Sequence, residues 1–491
     1  MNTKVLQREW FSNVKADILA GTLVALALIP EAIAFSLIAG VDPKVGLYAS
    51  FLIAIITSFL GGRPGLISAA TAPMALLMIN LVRDHGIEYL FAATIFTGIL
   101  QIICGWLKLG RQMKYVPRAV MIGFVNALGI SIFRAQLPQV IGETIPWQVY
   151  PLVALTLAII YILPRFTKAV PSPLVAIIIV TIISIFAGIT VPTVGDTGEI
   201  PSTLPFFQLP QVPFNLETLG IIFPYVLSMT FVSLVNTWLV VSLVDEFTDT
   251  PSNKNREAVG QGIANIATGF LGGMAGCAMA GQSVINIKSG GRTRLSTFCA
   301  GLVLILLILV AGDWVRQIPM AALVGVMVMV SIGTFNWNSL RTINLVPRTE
   351  TAVMVTTVFV TLLTRNLGMG VLVGIVLSAV FFSRDIARVV FVDSVISADQ
   401  TYRTYNIAGQ LFFLSVDEFL EAFNFQESLQ RVKIDLSHAH IWDQSAVNAI
   451  DKVVIKFRRN GAEVDVVGMN EASATLLNKL AVYDKSVTAD N

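Results

Sequence analysis

The sequence predicts a polytopic α-helical membrane protein followed by a small α/β domain, and three observations carry that prediction. Mean hydropathy is +0.74 and only 13% of the 491 residues are charged, a balance suited to a chain largely dissolved in lipid. Apolar runs recur through residues 1–390. From about Asp393 the text changes to Asp, Glu, Lys, Arg and Asn at soluble density, which divides the chain into 1–390 and 391–491 with the boundary between Arg388 and Ser394. A net charge of +2 gives no reason to expect nucleic acid as a partner.

Runs long enough to cross or partly cross a bilayer begin near residues 16, 46, 72, 89, 116, 150, 172, 219, 259, 281, 297, 318, 350 and 368. Those near 72 and 281 are short and rich in Gly and Pro, as half-helices are. With the amino terminus inside, the cytoplasmic loops carry Arg63, Lys108, Arg111, Lys114, Arg118, Arg165, Lys168, Lys254, Arg256, Lys288, Arg292, Arg294, Arg341 and Arg348. The opposite loops carry only Lys44, Arg83, Arg134, Arg316 and Arg365, a bias that fits the positive-inside rule. The Pro-rich connector Thr190 to Asn215 has no Lys or Arg, belongs outside, and separates two halves, about 15–190 and 217–390. Seven segments per half, an odd number, force the halves into opposite orientations: a 7+7 inverted repeat whose site falls near the midplane. The polar opening MNTKVLQREWFSNVKAD has no cleavage signal, so the first span is read as retained.

The most informative stretch is LALIPEAIAFSLIAGVDPKVGLYASF, where Glu31 follows Pro30 inside an apolar run. An ionisable group at bilayer depth costs roughly 3 kcal/mol or more, so it faces a cavity, a substrate path or a proton route. The third segment of each half opens on small residues and hydroxyls, SAATAPMALLM and AGCAMAGQSVIN. Two short helices starting there can aim unpaired N–H groups and positive dipole ends at one anion; the competing reading is that small residues only permit close packing.

IPEAIAFSLIAGVDPKVGLYAS, NREAVGQGIANIATGFLGGMAG and VINIKSGGRTRLS, in that order and spacing, resemble the sulfate permease (SulP) family of anion transporters. The likeness covers nearly the whole chain, and the carboxy-terminal part resembles the STAS domain this family carries. It implies a core domain that holds substrate and moves against a gate domain. It also implies a substrate site at Ala70, Thr71, Ala72, Pro73 and Met74 together with Ala280, Gly281, Gln282 and Ser283, walled by segments one and eight. Two departures bear on coupling. Gln282 stands where many members have Arg, so binding leans on dipoles and neutral donors. Asn236 stands where sodium-using relatives have an acid, which removes a charged ligand from a sodium site. Asn236 itself either donates to substrate or bridges helices. Carboxyls withdrawn from water can exchange protons near neutral pH, and Glu31 is therefore read as the coupling acid of a proton–anion symporter. A structural acid is the competing reading.

The soluble domain reads as strands near TYRTYNIAG and QLFFLS, a helix near VDEFLEAF, a strand RVKIDLS, a helix from Gln444 to Arg459, a strand EVDVVGM and a last helix. IWDQSAV resembles the loop in which anti-sigma-factor antagonists carry a phosphorylatable serine, which puts Asp443 and Ser445 forward as regulatory residues; an N-cap role for Asp443 is the simpler reading. Arg292 and Arg294 read as topology signals, Asp245 and Glu246 as a solvated helix end, His85 as a loop residue, and His438 and His440 as flanking a strand.

Cys104, Cys277 and Cys299 lack metal or disulfide spacing, and no nucleophile with a base or phosphate loop is present, so neither cofactor nor metal nor enzyme chemistry is expected. The reading is a secondary active transporter of sulfate, bicarbonate or dicarboxylates in a bacterial inner membrane, with the amino terminus and STAS domain cytoplasmic. A homodimer and a regulatory partner at the STAS domain are expected. A sodium-coupled bicarbonate symporter, an anion channel and an exchanger are the alternatives.

Overall fold

The computed structural model describes residues 7, 9–110, 116–141, 145–167, 171–213, 215–387 and 390–482. Arg111, Lys114, Lys168 and Arg388, and most of the first eight residues, lie outside these described residues. The chain forms two compact units, Met1–Ile375 and Val376–Asn491.

Among the described residues, fourteen main helices occupy the first 390 positions. They are α1 Val14–Ala39, α2 Pro43–Leu60, α3 Ala72–His85, α4 Ile87–Trp106, α5 Arg118–Gln136, α6 Val149–Ile162 and α7 Ser172–Phe186, then α8 Leu216–Thr248, α9 Lys254–Phe270, α10 Ala280–Lys288, α11 Arg294–Arg316, α12 Met320–Thr334, α13 Arg348–Thr364 and α14 Leu367–Ala387. Strands β1, Ser68–Ala70, and β2, Gly276–Ala278, precede the third helix of each half. Among the described residues, seven helices are long and apolar enough to cross a membrane: α1, α2, α4, α5, α8, α11 and α14. The third helices are short, 14 residues for α3 and 9 for α10, as the interrupted runs suggested.

Helices α1–α4 pack with α8–α11, and α5 and α6 pack with α12 and α13. α1 touches α7 and α12, and α3 touches α5, so these two groups meet along a narrow seam. Backbones approach closely where side chains vanish. A Cβ on Gly98 of α4 would sit 2.4 Å from the Gly262 carbonyl of α9, and one on Gly262 would sit 2.5 Å from the Gly98 carbonyl. The small residues of the GQGIANIATG stretch thus let α4 and α9 pack closely.

β1 and β2 pair antiparallel, Ser68 with Ala278 and Ala70 with Gly276. Equivalent strands of the two halves therefore run in opposite directions, which is the signature of an inverted repeat.

Within the second unit, β3 Phe391–Ile396, β4 Tyr402–Leu411, β5 Arg431–Ile441 and β6 Glu463–Val467 form one sheet in that order. β3 joins antiparallel, and the other pairs are parallel. Three helices, α15 Val416–Glu421, α16 Gln444–Arg459 and α17 Glu471–Leu480, complete an α/β layer over a core of Tyr405, Phe419, Val432, Ile434, Ile450 and Phe457. Three expectations need correction. TYRTYNIAG and QLFFLS are not two strands: one strand ends at Leu411, and Ser415 turns the chain by accepting the Phe412 N–H at 3.0 Å. His438 and His440 lie within β5 rather than beside it. His85 ends α3 and packs against Tyr89 at 5.1 Å, so it belongs to the helix.

Candidate functional site

The antiparallel register sends the chain out of β1 and β2 from opposite ends of a three-residue ladder, roughly 7 Å apart at about 3.3 Å per residue. α3 and α10 thus start on either side of one small sheet and run away from each other. At α10 the intrahelical bonds begin with the Ser283 N–H to the Met279 carbonyl, 3.0 Å. The N–H groups of Ala280, Gly281 and Gln282 precede that bond and have no acceptor within the helix. Ala280 and Gly281 are exposed, and a Cβ on Gly281 would meet nothing within 4 Å, so this first turn faces open space. Gln282 is buried beneath it, and its side chain lies beside that of Glu31 from α1. Glu31 lies deep in the helix bundle yet keeps accessible surface. Glu31, Gln282 and the open turn therefore form one constellation.

The opposite wall is more closed. Thr71, Ala72, Pro73 and Met74 are buried, as is Ala70, the last residue of β1. Thr71 precedes α3 as its N-cap but makes no capping bond; its Oγ1 lies 3.1 Å from Cys277 Sγ. The Asn236 amide of α8 donates to the Ala278 carbonyl at 2.7 Å and to Cys277 Sγ at 3.3 Å, so its donors are held by β2. The Ser283 hydroxyl accepts the Ile67 N–H at 3.0 Å and is fully buried, fastening α10 to the chain entering β1.

Extended backbone at membrane depth must satisfy its polar groups within the protein, and here a network invisible to sequence reading does so. The Gly276 carbonyl accepts from Gln261 at 3.0 Å, Asn265 at 3.2 Å and Ser233 at 3.4 Å. The Gly276 N–H donates to Asn265 Oδ1 at 3.0 Å, and Gln101 links Asn265 to Ser233. The Ala278 N–H reaches Thr237 Oγ1 at 3.3 Å. Polar residues one turn apart, Gln261 and Asn265 along α9 and Ser233 and Thr237 along α8, were the local signal.

At one end of these helices, charges read from the sequence as loop residues also hold the fold through ion pairs. Arg294 is 2% exposed, pairs with Glu9 at 2.7 Å and donates to the carbonyls of Ser58 and Gly61. Arg63 pairs with Asp245 at 3.1 Å, so Asp245 is not a solvated helix end, whereas Glu246 is exposed. Glu257 accepts the N–H groups of Gly62 and Arg63 at 2.6 and 3.0 Å. Arg292 is exposed, and its N–H donates to the buried Asp17 at 2.8 Å.

In the second unit Asp443 caps α16: Oδ1 accepts the Ala446 N–H at 3.0 Å and Oδ2 the Phe413 N–H at 2.8 Å. Ser445 is partly buried in the first turn. A Ser437 hydroxyl at 2.6 Å, its N–H, and Lys433 pull the Asp435 carboxyl down to about 2.

The model of the sulfate permease family matches residues 14–151 and 143–357, and that of the STAS domain matches residues 395–491. A Bacillus subtilis protein, YbaR, which carries a provisional assignment as a sulfate transporter, is 57% identical over 98% of this chain and 100% of its own. The bicarbonate transporter BicA of a Synechocystis strain is 28% identical over 96% of this chain and 91% of its own. The solved transmembrane domain of a cyanobacterial BicA superposes with a TM-score of 0.66 at 28% identity, covering 75% of this chain and 98% of that one. Murine Slc26a9, at 16% identity, shares the fold with a TM-score of 0.82 over 99% of this chain and 90% of its own. With paired half-helices, a crossed strand pair and family matches over most of its length, the chain belongs to the sulfate permease family of membrane transporters and carries a carboxy-terminal STAS domain.

Proposed function

We propose that this protein is a secondary active transporter of small oxyanions, sulfate or bicarbonate foremost, driven by protons taken up at Glu31. The observation that carries the reading is the contact between Glu31 and Gln282 beneath the open first turn of α10. Three unpaired N–H groups and a positive dipole end suit an anion there. A proton on Glu31 removes a negative charge beside that anion, so each ligand favours the other. Sulfate and bicarbonate are the substrates named for the relatives YbaR and BicA, and dicarboxylates belong to the same chemical class. Thr71 to Met74 form the second wall, and Asn236, its amide held by β2, positions that wall rather than donating to substrate. Transport follows from movement of the α1–α4/α8–α11 group against the other helices along their narrow seam.

Residues 1–390 are the transporter and 391–491 the STAS domain, which lies in the cytoplasm with the amino terminus, in a bacterial inner membrane. The working form is a homodimer, and the Asp443–Ser445 loop receives a regulatory partner. A phosphate on Ser445 would sit at the amino end of α16, where its charge is tolerated.

Uptake of labelled sulfate, bicarbonate and fumarate into proteoliposomes tests the reading, with inward proton and sodium gradients applied in turn. Accumulation with protons alone is expected, and Glu31→Gln should abolish it while substrate binding persists. Accumulation driven only by sodium overturns proton coupling; flux without accumulation makes the protein a channel or exchanger.

A further inference from the structure

Five basic residues lie at the end of the bundle opposite the buried ion pairs: Lys44, Arg83, Arg134, Arg316 and Arg365. Lys44 is paired with Glu199 and Asp42, and Arg316 lies in the field of Glu199. The other three converge. Arg83 from the last turn of α3, Arg134 from the last turn of α5, and Arg365 from the cap of α13 line one cavity of about 230 Å³, together with Asn80 and Ser131. Arg83 is held by its neighbour Asp84 at 2.8 Å. Among the described residues no acid pairs with Arg134 or Arg365.

Basic residues at helix carboxyl ends can simply complement the dipole. That preference places each arginine on its own helix; it does not gather three on one cavity, where they repel. Arg365 is also a non-glycine residue in left-handed conformation, φ +53°, a backbone that costs energy. We propose that this cavity is a second anion site, which receives a small oxyanion such as sulfate from outside before it reaches the central site. The planar forks of Arg134 and Arg365 suit an oxyanion's paired oxygens, and Asn80 and Ser131 add neutral donors. The volume holds such an anion with several waters. Because α3 belongs to one helix group and α5 and α13 to the other, the bound anion bridges the seam along which the two groups move. The ligand class rests on the oxyanion reading above; the site itself does not.

Equilibrium binding of labelled inorganic sulfate to the purified full-length protein decides the matter. Two sulfates per chain are expected, falling to one in Arg134→Gln/Arg365→Gln. A single sulfate that this double variant abolishes also upholds the outer site, and removes sulfate from the central one. Stoichiometry unchanged by the double variant, or no binding at all, overturns the proposal. Where the glutamine variant fails to fold, Arg134→Lys/Arg365→Lys keeps the charge but not the fork and is expected to weaken the outer affinity about tenfold; undiminished affinity there overturns the forked contact. In proteoliposomes the double glutamine variant should raise the half-saturating external sulfate about fivefold or more, and an unchanged value overturns the entry role.

Discussion

Asp443 illustrates how one side chain serves two segments, because its two oxygens hold the first turn of α16 and the Phe413 N–H thirty residues away. Asp443→Ala should cost about 1–2 kcal/mol in the stability of the second unit, and Asn at this position should recover most of it; hydrogen exchange over Gln444–Arg459 would report both. Asp435 carries a pH dependence. Its carboxyl is held down to about 2 by the Ser437 hydroxyl first, then its N–H and Lys433. A depressed carboxylate stabilises the fold above its unfolded value near 4, and that contribution is lost as pH falls through about 2. The side chain is partly exposed, so Asp435→Asn should cost at most about 1 kcal/mol at pH 7 and nothing below pH 2. Equal penalties at both pH values, measured by exchange in β5, would refute the assignment. Gly468, just past the end of the neighbouring strand β6, has φ +80° and a Cβ site that would collide with Ser437 Oγ, so alanine there meets both strain and collision.

Among elements, what the sequence revealed depended on range. Segment starts near 72 and 281 were legible because Gly, Pro and small residues interrupt apolar runs locally, and the structure starts α3 at Ala72 and α10 at Ala280. Helix Gln444–Arg459 was legible from its apolar periodicity. β3 was not: five of its six residues are exposed, so no alternation marks it. Nor were the partners of Gly276, Arg63 and Arg294, since Arg294 and Glu9 lie 285 residues apart and nothing local to either signals the other. Glu31 was found because an acid in an apolar run is anomalous by itself; its neighbour Gln282 required the fold. Gly98 and Gly262 carry the prediction for this scale. Gly262→Val places a branched side chain against a carbonyl 2.5 Å from its Cβ, forcing α4 and α9 apart. Overpacking of this kind costs roughly 1–3 kcal/mol, seen as a lower melting temperature in detergent. Because α9 carries Gln261 and Asn265, the shift should also loosen β2 and lower anion affinity.

For the membrane unit as a whole, polar pairings collect at two ends. Arg63–Asp245, Arg294–Glu9 and Asp17–Thr293 gather where α2, α8 and α11 end or begin. Lys44–Glu199, Tyr48–Thr203 and the bond from Gln211 N–H to Glu88 gather at the other end, beneath the long connector. Burying arginine with its acid offsets much of the desolvation cost that either would suffer alone, which lets the first end be both densely basic and closed. With the amino terminus and the basic loops cytoplasmic, as proposed above, that end faces the cytoplasm and the connector lies outside. Lys288 is exposed at the first end and Asp313 at the second. A membrane-impermeant thiol reagent should therefore label Asp313→Cys on intact cells and Lys288→Cys only after permeabilisation. The opposite pattern would invert the molecule, turn the three-arginine cavity toward the cytoplasm, and make the route described here one of export.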